Sequence, residues 1–208
     1  MTDLPELPPE AFAKEDPSPD PLFYAQPRFV THIDERAIAA VTALYRELFP
    51  AGGTVLDLMG SWVSHLPPEI AYGDVIGHGM NDEELKANPR YTRRFVQDLN
   101  QQPVLSLADA SVDAAAICVS VQYLQHPVAV FRELRRVLKP GGVLAITFSN
   151  RCFPTKAVAI WLHLPMGQHD RLVGLYLERA GFAALETRTL IAPGLDQDPL
   201  WAVIGRAP

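Results

Sequence analysis

Five short apolar segments, separated by turn-rich and helix-forming stretches, restrict the fold of this chain more than any other feature. The segment VLAITFS, residues 143–149, is the most strand-like of them. Just before it, residues 131–138 have apolar side chains at helical spacing. Because alternating strands and helices form a parallel sheet covered on both faces, the pattern predicts an α/β protein. The predicted strands are residues 54–58, 74–78, 94–98, 112–119 and 143–149.

Periodic segments continue on both sides of this alternation. Before it, a predicted helix has one apolar stripe over residues 33–48, with Thr31 and Asp34 as its capping box. After it, residues 170–180 form a further predicted helix that ends at Gly181. Two last strands follow, at residues 184–191 and 200–205.

The start of the chain is dense in proline and precedes any periodic pattern. Each proline fixes φ and removes an amide donor, so neither a helix nor a central strand is predicted there. We therefore expect residues 1–20 to be a flexible N-terminal arm and residues 21–208 to be one domain. The prolines of the arm are Pro5, Pro8, Pro9, Pro17 and Pro19.

Charge and composition exclude several classes of partner. The net charge of −6 argues against a nucleic-acid partner, because phosphate backbones attract basic surfaces. No apolar stretch is long enough to span a bilayer, and no leader pattern occurs at the start, so no membrane partner is expected. Two isolated cysteines, Cys118 and Cys152, fit a reducing compartment, which predicts a cytoplasmic protein. The oligomeric state stays open.

Polar side chains follow all five strands of the predicted parallel part of the sheet. Ligands bind outside the carboxyl ends of such strands, so these residues are the candidate site. The stretches that follow the five strands are residues 57–64, 79–84, 98–100, 120–123 and 150–151.

Two stretches resemble a known family. FRELRRVLKPGG at residues 131–142 and LSLADASVD at residues 105–113 are similar to segments of class I S-adenosylmethionine-dependent methyltransferases of the type-11 group. The likeness extends over about residues 33–206. It implies a Rossmann-like, doubly wound, mostly parallel sheet of seven strands, with a C-terminal antiparallel hairpin and helices on both faces. It also implies S-adenosylmethionine as cofactor and methyl transfer to a small molecule.

The resemblance assigns roles to four residues. Asp57 matches the acid that ends the first strand, near the amino-acid end of the cofactor. Asp98 matches the acid that holds the adenine amino group, and Leu99 would offer its backbone amide to the ring. Ser120 lies where the fourth strand lines the pocket beneath the methyl donor.

The chain departs from the family in its first loop. Family members have several glycines there, so that backbone amides approach the methionine carboxylate, but only Gly60 is present here. Ser61 is expected to supply a hydroxyl in place of an amide, and Trp62 to pack against or cover the cofactor.

A second departure concerns the ribose. The family has an acidic residue after the second strand, where this chain has Gly79. Losing one hydrogen bond to a charged group weakens binding roughly 10- to 100-fold. Asn81 or Asp82 would compensate; alternatively, Asn81 caps the following helix with Glu84 as its partner.

The acceptor side offers fewer signals. Asn150 and Arg151 follow the fifth strand and are candidate substrate ligands, and Tyr123 faces the same region. An arginine there suits a carboxylate or phosphate. The catalytic base stays open between Tyr123 and His32. The histidines lack metal-ligand spacing, so no metal is expected. Two functions follow: methyl transfer from S-adenosylmethionine to a small molecule, or a ligand-binding scaffold of the same fold without transfer activity.

Overall fold

The computed structural model describes residues 3–165 and 167–208, and its sheet confirms the predicted fold class. The strand order is β3-β2-β1-β4-β5-β7-β6. Neighbouring strands among β1–β5 are parallel, whereas β7 is antiparallel to both β5 and β6. The strands are β1 Thr54–Leu58, β2 Asp74–Gly79, β3 Arg93–Val96, β4 Val112–Cys118, β5 Leu138–Phe148, β6 Ala183–Ile191 and β7 Leu200–Arg206.

Helices cover both faces of this sheet. Those with described bounds are α1 Asp20–Phe23, α2 Glu35–Leu48, α3 Asp82–Ala87, α4 Pro127–Val137, α5 Ala159–His163 and α6 His169–Ala180. One apolar core forms between the sheet and α4 and α6, with Phe131 and Leu177 fully buried in it. The second core forms under α2, around Val41 and Tyr45. Within residues 3–165 and 167–208, no helix is both long and apolar enough to cross a membrane.

Several predicted boundaries differ from the structure, for example that of strand β5, which begins at Leu138 rather than at residue 143, and two of the differences bear on the cavity described below. Helix α2 begins at Glu35 with Asp34 as its cap, whose Oδ1 accepts the N–H of Ala37 at 2.7 Å, so the prediction of Thr31 in a capping box was wrong. Thr31 instead lies in the segment that crosses the cavity described below. Strand β3 ends at Val96 rather than at residue 98, which leaves Asp98 in a loop.

The N-terminal segment packs on the domain instead of extending from it. A 3₁₀ turn, Pro9–Phe12, and α1 both have proline in their first turn, where the missing N–H costs no hydrogen bond, so the prediction of no helix was wrong. Leu4 is buried in the core. The mobility predicted for residues 1–20 stays a prediction.

A fully buried lysine holds this segment. The ammonium of Lys156 donates to the Ser18 carbonyl at 2.7 Å and lies 3.0 Å from the Asp16 carboxylate and 3.5 Å from Asp20. Asp20 also accepts from Lys14 at 2.5 Å. These ion pairs thus hold the N-terminal segment where it crosses the carboxyl edge of the sheet.

Candidate functional site

A cavity of about 280 Å³ lies at the carboxyl ends of β1–β4, and residues 20–33 form its roof. Every residue predicted to bind the cofactor lines it. Of the predicted substrate ligands, Tyr123 and Arg151 line it as well, whereas the exposed Asn150 does not. The predicted cofactor residues are Asp57, Gly60, Ser61, Trp62, Gly79, Asn81, Asp98, Leu99 and Ser120. Their binding roles stay predictions.

The end of β1 places a buried carboxyl group at the floor of the cavity. Asp57 is almost fully buried, and its Oδ2 accepts the Tyr91 hydroxyl at 2.7 Å. Burial raises the pKa of Asp57 to about 7, against the opposing effect of the Tyr91 hydrogen bond. Asp57 therefore changes charge near neutral pH.

The first loop is held by a histidine. The N–H of Met59 donates to His78 Nδ1 at 3.0 Å, and the N–H of Gly60 donates to the His78 carbonyl at 2.7 Å. His78 Nε2 lies 2.9 Å from the Gln97 carbonyl, which only accepts, so this nitrogen has the proton. Burial lowers the pKa of His78 to about 4, so the ring is neutral as both hydrogen bonds require.

The packing of the first loop explains why the acid after β2 is absent. A Cβ at Gly79 would lie 2.5 Å from the Gly60 carbonyl oxygen, so any side chain there would displace the loop. A carboxylate reaches the same corner from α3. Glu84 accepts the Ser61 hydroxyl at 2.5 Å and the N–H of Arg28 at 2.6 Å. The sequence suggested Glu84 only as a capping partner of Asn81.

Asn81 is the cap of α3, the second of its two predicted roles. Its Oδ1 accepts the N–H groups of Glu83 and Glu84, and its Nδ2 donates to the carbonyls of Tyr24 and Ala25. Its amide therefore fastens the roof to α3.

Two other first-loop side chains have protein partners. The hydroxyl of Ser61 donates to Glu84, so it is not a free substitute for a glycine amide. Trp62 donates from Nε1 to the Val30 carbonyl at 3.0 Å and meets the Phe29 ring edge-on. Trp62 thus joins the loop to the roof.

Several polar groups on the cavity have no protein partner within the described ranges. The hydroxyls of Ser64 and Ser120 are buried and make no hydrogen bond. The N–H groups of residues 61–64 and of Leu99 likewise have no protein acceptor there. Asp98 Oδ1 accepts the N–H of Asn100 at 2.9 Å. Buried polar groups rarely lack a partner, so the two buried hydroxyls indicate a polar ligand.

Residues 59–146 match the family described as "Methyltransferase domain". An uncharacterized methyltransferase of Mycobacterium bovis is 31% identical over 147 residues, which are 67% of this chain and 52% of that protein. The chain belongs to the class I S-adenosylmethionine-dependent methyltransferase family. It spans about half the length of the curated relatives it matches.

Solved structures show the same fold. A SAM-dependent methyltransferase from Aquifex aeolicus is 19% identical, with a TM-score of 0.60 over 83% of this chain and 92% of that one. The [4+2]-cyclase SpnF is 16% identical, with a TM-score of 0.61 over 81% of this chain and 80% of that one. Both likenesses agree with the fold described above.

The polar groups on the cavity fit the cofactor of this methyltransferase family. The amides of residues 61–64 follow the two that His78 engages, and they offer donors for a carboxylate. Asp98 and the amide of Leu99 offer an acceptor and a donor, as the edge of an adenine requires. The departures noted in the sequence therefore leave suitable groups in place.

The part of the cavity around Tyr123, a predicted substrate ligand, is aromatic. The Tyr123 hydroxyl accepts the N–H of Phe153 at 2.9 Å, and burial raises the pKa of Tyr123 to about 12, so it stays protonated at neutral pH. Burial lowers the pKa of His32, whose ring lies 5.4 Å from that of Phe153. His32 is therefore the better candidate base. Arg151 pairs with Asp198 at 2.7 Å.

Strain marks two strand ends on the cavity. Met59 and the β-branched Val119 have φ of +58° and +45°, values that side chains rarely adopt. Such strain collects at functional sites. No sequence signal identified these two residues, nor the anchoring role of Lys156, since each depends on contacts distant along the chain.

Proposed function

We propose that this chain binds S-adenosylmethionine in the cavity and transfers its methyl group to a small-molecule acceptor. The observation that carries the proposal is the set of buried, unpartnered polar groups around one cavity, above all the hydroxyls of Ser64 and Ser120. The cofactor supplies an electrophilic methyl group on a sulfonium.

Different residues of the cavity would bind different parts of the cofactor. Asp98 and Leu99 would hold the adenine, and Glu84 would provide the carboxylate for the ribose that Gly79 lacks. The amides of residues 61–64 would hold the methionine carboxylate. The roof would exclude water, and His32 would accept a proton from an acceptor that must lose one.

A small acceptor is supported by the shape of the site. The cavity volume of about 280 Å³ lies near the lower limit for ligand sites, and the roof spans the carboxyl edge of the sheet. The net charge of −6 supports the absence of a nucleic-acid partner. The free thiols Cys118 and Cys152 support a cytoplasmic location.

Calorimetric titration with S-adenosylmethionine and S-adenosylhomocysteine tests cofactor binding. We expect micromolar binding of both, lost in Asp98→Ala and kept in Asp196→Ala, a change at an exposed acid away from the cavity. The absence of heat with either compound, for a folded protein, would refute the proposal.

A ligand-binding scaffold without transfer activity is the second candidate. It is supported by the engagement of the Met59 and Gly60 amides by His78, which leaves them unable to bind a carboxylate. The cyclase among the similar structures is a protein of this fold with a different named activity. Transfer of a radiolabelled methyl group from bound cofactor to an acceptor distinguishes the two candidates.

A further inference from the structure

We propose that Arg28 recognises a carboxylate on the methyl acceptor, an assignment that rests on the proposed function. Arg28 lines the cavity from the roof, and its Nη1 is buried without a hydrogen-bond partner among the described residues. Its Nη2 donates to the Phe23 carbonyl at 2.9 Å. A cationic donor without a partner in a cavity calls for an anionic ligand.

Aromatic rings fix the position of this guanidinium. Its central carbon lies 4.5 Å from the ring centroid of Phe23 and 5.4 Å from that of Phe153. Phe153 follows β5 and contacts Tyr123, and neither residue belongs to the groups suited to the cofactor. The free nitrogen of Arg28 is thereby assigned to the acceptor side of the cavity.

The charges around the cavity leave Arg28 available. The other arginine of the lining, Arg151, pairs with Asp198. In the roof, Asp20 pairs with Lys14 and Lys156. Glu84 accepts the backbone N–H of Arg28 but makes no hydrogen bond with its guanidinium. No ion pair of the Arg28 guanidinium occurs within residues 3–165 and 167–208.

The surroundings favour a carboxylate on a flat, apolar body. Phe153, Tyr24 and Tyr123 line the cavity, with Phe153 stacked on Tyr123 and close to the Arg28 guanidinium, and such rings suit an aromatic ligand. A single free nitrogen matches one carboxylate oxygen, whereas a phosphate dianion needs several donors. An aromatic carboxylic acid is therefore the class of acceptor that this side of the site fits.

The test measures a preference with matched probes. Protein saturated with S-adenosylhomocysteine is titrated with benzoate and with benzamide, which has the same shape without the charge. We expect the wild type to prefer benzoate roughly 10- to 100-fold. Arg28→Gln should remove the preference, Arg28→Lys should restore part of it, and Arg171→Gln, at an exposed site on α6, should keep it.

The outcomes separate the two proposals. Failure of the wild type to bind S-adenosylhomocysteine contradicts the proposed function. Cofactor binding without a preference for benzoate overturns the role of Arg28, as does a preference that survives in Arg28→Gln. Stronger binding of phenyl phosphate than of benzoate would overturn the choice of a carboxylate. If Arg28→Gln disrupted the roof instead, the affinities for benzoate and benzamide would both fall and their ratio would stay the same.

Discussion

Replacing Lys156 tests whether paired charges hold the roof over the cavity. Its ammonium is fully buried and contacts Asp16, Ser18 and Asp20, all in the N-terminal segment. Removing one partner of a buried ion pair costs about 3–5 kcal/mol, because the other charge is left unpaired. Asp20 keeps Lys14 and Asn100 as partners, so we expect the lower end, about 3 kcal/mol.

This loss should appear in the docking of the segment and not in the sheet. Two amides report on docking, because the N–H of Asp16 donates to Thr155 and that of Ala159 donates to Ala13. A loss of about 3 kcal/mol in Lys156→Met corresponds to roughly 100-fold faster hydrogen exchange at these amides. Methionine keeps the aliphatic length of the side chain without the charge.

The comparison variant is Lys86→Met, at an exposed lysine paired with Asp82 over 3.8 Å. It should leave exchange at Asp16 and Ala159 unchanged, and both variants should leave the amides of β1 protected. Hydrogen exchange of these two amides at the wild-type rate in Lys156→Met would refute the role of the paired charges in docking. Equal acceleration in β1 would instead show that the segment and the sheet unfold together.

Two further predictions concern the floor of the cavity. Gly79→Asp restores the family's acid, but its Cβ would lie 2.5 Å from the Gly60 carbonyl oxygen. We therefore expect thermal unfolding to show a loss of stability of about 1–3 kcal/mol, with no gain in cofactor affinity. Gly174→Asp, at a position with open space around it, should lower the stability less. Asp57 has a pKa of about 7 when folded and about 4 when unfolded, so the folded state holds the extra proton between these values. As the pH rises from about 4 to about 7, the free energy of unfolding should therefore fall by about 1.4 kcal/mol per pH unit. Denaturant titrations should show a flatter slope in Asp57→Asn. A free energy of unfolding that rises with pH over this range would contradict the prediction.

The sheet could be predicted because its signals are local. Strand β1 matches its predicted bounds, since five apolar residues between turns leave few alternatives to a buried strand. The N-terminal segment could not be predicted in this way. Its prolines mark it as irregular, but its position depends on Lys156, which is 140 residues from Asp16 along the chain. Charge pairs at such separations leave no periodic pattern.

The candidate site shows the same division. Every cofactor residue that was predicted from the ends of the strands lines one cavity, because parallel strands bring their carboxyl ends to one edge of the sheet. Apart from His32, the residues of the roof were missed, among them Arg28. Arg28 differs from Arg151 in its contacts: Arg151 pairs with Asp198, whereas Nη1 of Arg28 has no hydrogen-bond partner among the described residues. The sequence alone does not show such contacts.

The departures in the first loop form one coupled set rather than separate losses. Gly77 leaves room for the Tyr91 ring, whose hydroxyl holds Asp57, and Gly79 leaves room for the Gly60 carbonyl. Between these glycines, His78 binds the loop through both its ring and its backbone. The sequence Gly77-His78-Gly79 in β2 is therefore matched to the Met59-Gly60 loop after β1. A second-strand acid cannot be restored alone, because its side chain would need the space that the Gly60 carbonyl occupies.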